Sequence, residues 1–72
     1  GLHAIFEVEV PENWIGKTVG ELDIRRKYGI NILGVKRSGK TDVSITTDTV
    51  LSKEITILAL GEYKALQKCF RI

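Results

Sequence analysis

The sequence predicts a small α+β domain, because it contains several short segments with the patterns of β-strands and, separate from them, two short segments with the signals of helices. Residues 2–10 alternate apolar and polar side chains, which is the period of a strand with one buried face. Residues 30–36 and 55–60 are predominantly apolar runs of strand length, which indicate strands covered on both faces. Residues 19–28 and 62–70 carry helix signals. With one further short strand, the prediction is about four strands and two helices.

The first strand ends at Pro11, which cannot donate a hydrogen bond to a neighbouring strand, and residues 11–17 form a connecting loop. Trp14 lies in this loop and has two interpretations. It either packs into the core, or it offers an aromatic ring for stacking on a base or a partner. His3, on the polar face of the first strand, is interpreted as a surface residue, because no Ser or Cys nucleophile is identifiable beside it.

The first helix has a start signal and a stop signal. Thr18 and Glu21 have the three-residue spacing of a capping box, which predicts that the helix starts at Val19. Gly29 suits the left-handed residue that follows a helix end, so the last helical residue is Tyr28. The helix therefore runs directly into the second predicted strand.

Arg25 is the unusual residue of this helix, because a helical wheel places it inside the apolar arc, between Leu22 and Tyr28. A guanidinium is almost never buried without a partner. It therefore requires an acidic partner, an edge position from which its charge reaches water, or an anionic ligand. Glu21, four positions earlier, is the local candidate for an ion pair. Both an internal ion pair and a ligand contact stay open on this pattern alone.

The second half of the chain alternates between turns and strands. Residues 37–40 form a turn and residues 42–45 a short strand, which together predict a hairpin. Residues 46–48 are polar and turn-like, and Gly61 is expected to end the last strand. Asn31, near the start of the second strand, either bonds the neighbouring loop or donates to a ligand at the strand entrance.

Composition excludes several classes of protein. A chain of 72 residues makes one domain, and its 43% hydrophobic and 28% charged residues are ordinary for a globular protein. The net charge of +2 is too small for a nucleic-acid surface, and no apolar run approaches the roughly 18 residues of a membrane helix. A single cysteine, Cys69, excludes an internal disulfide and favours a reducing compartment. The start at Gly1 and the absence of methionine predict a piece of a longer protein.

Residues 34–41 fit the phosphate-loop pattern G-x-x-x-x-G-K-[ST]. A phosphate loop needs a helix after its final residue, whereas the residues after Thr41 are strand-like and too few for a helix. A hairpin turn explains the same residues. One His and one Cys cannot form a zinc site of the usual type, and catalysis is therefore not predicted.

Three groups of residues resemble the TrkA-C (RCK-C) domain family, and most closely its version in the cytoplasmic gating subunit of Ktr potassium-uptake systems. They are a VPE-x-W-x-GK-T loop over residues 10–18, an ELD-x-R-x-KYG helix over residues 21–29 and an N-x-L-x-x-KR strand over residues 31–37. The likeness covers about residues 6–66. It implies a two-layer fold of about four strands and two helices, which pairs as a homodimer.

The resemblance also implies a function and a site. Such domains follow a nucleotide-binding (RCK-N) domain in a cytoplasmic subunit that controls a membrane potassium transporter; no nucleic acid and no direct membrane insertion are expected. In several Gram-positive members they bind cyclic di-AMP at the homodimer interface, which inhibits potassium uptake. There an Arg on the first helix contacts phosphate, and an Asn followed by an aliphatic residue contacts adenine. The corresponding residues are Arg25, Asn31 and Ile32, with Val19, Thr46 and Thr47 as further candidates.

One departure from the family pattern concerns the turn at Thr46 and Thr47, where relatives often carry Pro. The leading hypothesis is a regulatory domain that binds cyclic di-AMP. The alternative is a ligand-free dimerisation or interaction domain of a cation transporter, an antiporter or a transcriptional regulator. In that alternative, Arg25 pairs with Glu21 or with an acid across the interface. Nucleotide hydrolysis through residues 34–41 is a third hypothesis and is not expected.

Overall fold

A four-stranded antiparallel sheet forms the centre of the molecule, in a computed structural model that describes residues 1–72. The strands lie in the order β1-β4-β2-β3, and every neighbouring pair is antiparallel. The predicted α+β class with four strands is confirmed. The strands are β1 His3–Glu9, β2 Ile30–Arg37, β3 Lys40–Asp42 and β4 Thr56–Glu62.

The helices pack on one face of the sheet, so the domain has two layers. They are α1 Val19–Leu22, α2 Ile24–Tyr28 and α3 Tyr63–Phe70, with a 3-10 turn at Glu12–Trp14. None of them combines the length and the apolar character that crossing a membrane requires. α1 and α2 correspond to the first predicted helix, and α3 to the second.

The first predicted helix is divided at Asp23, which has left-handed backbone angles (φ 51°, ψ 46°). Asp adopts this conformation more readily than most residues, and its carboxylate forms an ion pair with Arg26. The predicted capping box of Thr18 and Glu21 is confirmed at the start of α1. The break changes the helical phase, and Arg25 is exposed, which corresponds to the edge position that the sequence left open as one alternative.

The core lies between the sheet and the helices and contains no buried polar side chain. Trp14 is 2% exposed, and its ring centroid is 5.5 Å from that of Tyr28 and 5.5 Å from that of Phe70. The structure therefore supports the core interpretation of Trp14 over the stacking one. The other buried core residues are Val10, Leu22, Ile24, Ile30, Leu51, Ile55, Ile57, Ala59 and Leu66.

The face of the sheet opposite the helices, the open face, carries Ile5, Leu58 and Leu60. Ile5 is 59% exposed, and the two leucines are half-buried. The prediction that both apolar runs are covered on two faces is therefore wrong for a single chain, because every helix packs on the other side.

β2 contains a β-bulge at Leu33, one extra residue without a partner on β4. Ile32 faces the helices before the bulge, and Val35 does so after it. Lys36 consequently lies on the open face, where its Nζ is 3.6 Å from Glu7 Oε1. The bulge thus keeps a charged side chain out of the core.

A two-residue turn joins β2 to β3 and confirms the predicted hairpin. Ser38 and Gly39 both have positive φ angles, 51° and 77°, as a type I′ hairpin turn requires. Thr41 lies within β3, and the next regular element after it is β4, not a helix. The residues of the phosphate-loop pattern therefore form a hairpin.

Two predicted strand limits are wrong. β3 ends at Asp42 instead of continuing over residues 42–45, because Asp42 Oδ1 accepts a hydrogen bond from the Ser44 amide at 2.8 Å and turns the chain. Gly61 does not end the last strand but lies inside β4. A Cβ added there would be 3.2 Å from Ile30 Cγ1, so the glycine leaves room for the Ile30 side chain.

Candidate functional site

β2 has a free edge over its first half. β3 pairs only with residues 35–37 of β2, so no strand pairs with residues 30–33 on the side away from β4. A cleft of about 340 Å³, the edge cleft, opens here. Nine residues from α1, α2, β2 and the loop before β4 line it: Val19, Ile24, Arg25, Ile30, Asn31, Ile32, Ile45, Thr46 and Thr47.

The structure brings together all six residues that the sequence analysis proposed for the ligand, although they come from three separate parts of the chain. Their binding role remains a prediction. Ile24, Ile30 and Ile45 complete the apolar walls and were not among the predicted site residues. The apolar pattern around Arg25 and Asn31 contains a signal for the first two. No local pattern places Ile45 there.

Arg25 is the single charged residue of the edge cleft. It is exposed, and none of the ion pairs in the structure includes it. Glu21, the candidate partner, belongs instead to the capping box, where its Oε1 accepts a hydrogen bond from the Thr18 amide at 2.7 Å. No ion pair within the chain therefore accounts for Arg25, and its N–H donors remain available for an anion.

Asn31 and Ile32 lie on opposite faces of the free edge. The register pairs Asn31 with Leu60 of the open face, and Ile32 with Ala59 of the helix-covered face. The Asn31 side chain is exposed and makes none of the side-chain hydrogen bonds in the structure. The edge cleft therefore reaches around the sheet edge and offers a free amide as both donor and acceptor.

A tight turn over residues 46–49 contributes Thr46 and Thr47 to the cleft. The Thr46 hydroxyl accepts a hydrogen bond from the Asp48 amide at 3.2 Å, and the Thr49 hydroxyl accepts one from the Thr46 amide at 3.0 Å. The turn is thus held in shape by its own hydroxyl groups. The Thr46 hydroxyl accepts one hydrogen bond in this network, so its own O–H donor remains free for a ligand.

A second and larger depression, the C-terminal groove, lies between the end of β1 and α3 and has a volume of about 1180 Å³. Acids such as Glu9 and Glu12 and bases such as Lys27 and Lys68 all line it, so no single sign of charge dominates. Burial raises the pKa of the Cys69 thiol in its wall, which keeps that thiol protonated and unreactive. The groove therefore has no group that selects one class of ligand.

The edge cleft combines a free guanidinium, a free amide and apolar walls. A guanidinium binds phosphate through charge-assisted hydrogen bonds, an amide can bond a base edge, and apolar walls suit a planar ring. The chemistry fits a nucleotide. The volume is near the lower end of the roughly 300–1,000 Å³ that enclose small ligands, so a second surface is needed to cover a nucleotide fully.

Comparison with known proteins relates nearly the whole chain to one family. The TrkA-C domain model matches residues 4–72. The Ktr system potassium uptake protein C of Bacillus subtilis (strain 168) is 36% identical over 59 residues, which are 82% of this chain and 27% of that protein. The chain thus spans about a quarter of the length of this relative.

Solved structures share the same fold. The RCK C domain of the potassium transport protein KtrA, in complex with cyclic diadenosine monophosphate, superimposes with a TM-score of 0.85 and 29% identity, over 96% of this chain and 81% of that one. The RCK_C domain dimer of S. agalactiae BusR, in complex with cyclic di-AMP, gives a TM-score of 0.74 at 22% identity, over 96% and 95% of the two chains. The second likeness concerns the fold alone.

Proposed function

The chain belongs to the TrkA-C domain family, and on this premise we propose that it is the regulatory domain of a cytoplasmic gating subunit in a potassium-transport system. Its ligand is cyclic di-AMP, bound between two copies of the domain, and binding inhibits potassium uptake. In the longer protein, an RCK-N domain precedes it, and a membrane transporter subunit is the partner. These features of the whole protein follow its relatives, of which the chain spans only a part.

The observation that carries the proposal is the free guanidinium of Arg25 beside Asn31 and Ile32 in one cleft. A cation without an ion pair, next to an uncommitted amide and an aliphatic wall, has the donors for a phosphate and the surface for an adenine. The KtrA RCK C domain, which has the same fold and is 29% identical, was solved in complex with this dinucleotide.

The small volume of the edge cleft supports a site shared by two chains. Cyclic di-AMP has two phosphates and two adenines, so its own two-fold axis can coincide with the axis of a symmetric dimer. Two copies of Arg25 near such an axis repel each other, and two phosphates neutralise both. Each chain then holds one half of the ligand.

Regulation follows because ligand binding is thermodynamically linked to the pairing of two copies of the domain. A ligand that contacts both chains binds their paired arrangement more tightly than any other, so it increases the population of that arrangement. The coupling is reciprocal, and a gating subunit that favours the same arrangement binds the dinucleotide more tightly.

Isothermal titration calorimetry of the chain with cyclic di-AMP tests the proposal, with an expected stoichiometry of one dinucleotide per two chains. Arg25→Ala should weaken binding about a hundredfold or more, because each ligand loses two charged contacts worth roughly 1.5–3 kcal/mol apiece. Arg37→Ala is the matched control, because this exposed arginine lies at the other end of β2 and pairs with Glu54. It should leave the affinity unchanged.

Cyclic di-GMP, ATP and NADH serve as comparison ligands in the same titrations. Absence of binding to cyclic di-AMP at tens of micromolar ligand contradicts the proposal. The ligand-free alternative predicts instead that Arg25→Ala weakens the pairing of the chains, measured by analytical ultracentrifugation, to the same extent with and without the dinucleotide.

A further inference from the structure

The turn over residues 46–49 is held against the start of α1 by backbone contacts that leave no room for a side chain. The Val19 amide donates to the Thr49 carbonyl and the Gly20 amide to the Thr47 carbonyl, each at 2.9 Å. A Cβ added to Gly20 would lie 2.9 Å from both Cβ and the carbonyl oxygen of Thr47. Real Cβ atoms do not approach this closely, so any other residue at position 20 would displace the turn.

Helix formation does not account for this glycine. Gly20 is a helical residue of α1 and does not have a positive φ angle, and glycine lowers helix stability relative to alanine. Its one visible advantage is the close approach of Thr47. That approach fixes where Thr46 and Thr47 lie along the edge cleft.

Thr49 fixes the same turn in a second, independent way. Its hydroxyl accepts the hydrogen bond of the Thr46 amide at 3.0 Å, and its own amide donates to the Thr46 carbonyl at 3.1 Å. Thr49 does not itself line the edge cleft. Its side chain acts on the cleft only through the shape of the turn.

We propose that Gly20 and Thr49 are positioning residues, which hold Thr46 and Thr47 at the distance from α1 that the bound dinucleotide requires. This inference rests on the proposed function. In a preformed cleft, the ligand does not have to order the turn when it binds, and preorganisation of this kind increases affinity.

Titration of cyclic di-AMP into Gly20→Ala and Thr49→Val, together with melting temperatures, tests the inference. Gly20→Ala should fold but melt below the wild type, because its Cβ meets the Thr47 backbone, and it should bind about tenfold more weakly, the affinity equivalent of one lost hydrogen bond. Thr49→Val keeps the shape of the side chain and removes one acceptor, so it should weaken binding severalfold.

Glu21→Ala is the control for a purely structural effect. It removes the capping box at the same end of α1 and leaves the turn contacts in place, so it should lower the melting temperature and keep the wild-type affinity. The inference is overturned if Gly20→Ala and Thr49→Val both fold and bind with wild-type affinity. It is also overturned if Glu21→Ala loses as much affinity as these two variants do. If Gly20→Ala does not fold, Thr49→Val alone decides. A wild-type chain that does not bind overturns the proposed function instead.

Discussion

The two ends of β2 differ in how far the chain itself satisfies their polar groups. At the hairpin end, β3 completes the edge, and Arg37 Nη1 lies 3.3 Å from Glu54 Oε1. At the other end, the edge is free, Asn31 makes no side-chain hydrogen bond, and neighbouring Arg25 forms no ion pair. The polar groups of β2 therefore have partners within the chain at the hairpin end, the completed end, and lack them at the other, the incomplete end.

Exposure and charge do not by themselves identify a binding arginine. Arg25 and Arg37 are both exposed cations next to the same strand. They differ in that the partners of Arg37 are folded into the chain, whereas Arg25 stands over an apolar cleft without one. An exposed polar group that bonds only to water costs the folded protein little free energy. The chain therefore tolerates unpaired polar groups at this end of β2, where a ligand or a second chain can bond to them.

The largest expected effect in the free protein is on stability at the incomplete end. Ile30 is fully buried at 0% exposure, so Ile30→Ala should lower the free energy of unfolding by about 2–5 kcal/mol. Val35→Ala, at a half-buried position near the other end, should cost about 1–2 kcal/mol. Urea denaturation followed by circular dichroism measures both. Equal losses would contradict the expectation that the cost follows the burial of the two side chains.

At the completed end, a substitution in the hairpin turn is expected to raise the free energy of unfolding by a smaller amount. Ser38 has a left-handed φ of 51° at the first central position of the hairpin turn, a conformation that costs most residues roughly 1–2 kcal/mol. Asn adopts it more readily and is preferred before Gly in such turns, so Ser38→Asn should raise the free energy of unfolding by about 0.5 kcal/mol. Ser38→Val should lower it, and both should keep the affinity for cyclic di-AMP. A stabilising Val or a destabilising Asn would contradict this account of the turn.

The smallest expected effect is a pH-dependent contribution of Glu54, at the completed end, to the stability of the protein. A hydrogen bond from its own backbone, and then one from Arg37, lower the pKa of Glu54 below its ordinary value of 4.5. A lowered pKa in the folded state stabilises the protein above the ordinary pKa, and the contribution is lost as pH falls through the lower value. Glu54→Gln should therefore melt slightly below the wild type at about pH 7, and the difference should shrink towards about pH 3. A difference that grows on acidification would show that the ionised Glu54 carboxylate is not its source.

Local signals were enough to predict most of the fold. The alternation over residues 2–10, the capping box at Thr18 and the turn at Ser38 and Gly39 each depend on a few neighbouring residues, and the structure confirms all three. The homodimer and the ligand came from the resemblance to a family, which also added Ile32, Val19, Thr46 and Thr47 to the two candidates, Arg25 and Asn31, that residue patterns had already singled out.

Features that depend on distant contacts or on single side chains could not be predicted. The exposure of Arg25 depends on the left-handed Asp23, which resets the helical phase. The end of β3 depends on one hydrogen bond from Ser44 to Asp42. Ile45 reaches the edge cleft only because residues 46–49 dock on α1, a contact between segments more than twenty residues apart in the chain.

The bulge at Leu33 also bears on how chain length can vary among related proteins. Ile32 faces the helices and Lys36 the open face, and one surplus residue between them leaves both orientations unchanged. A gene that loses the codon for Leu33 would encode a regular ladder with every other side chain on its present face. Sequence alignments of the family should therefore open a gap at this position before any other in β2, because a deletion elsewhere in the strand would exchange its two faces.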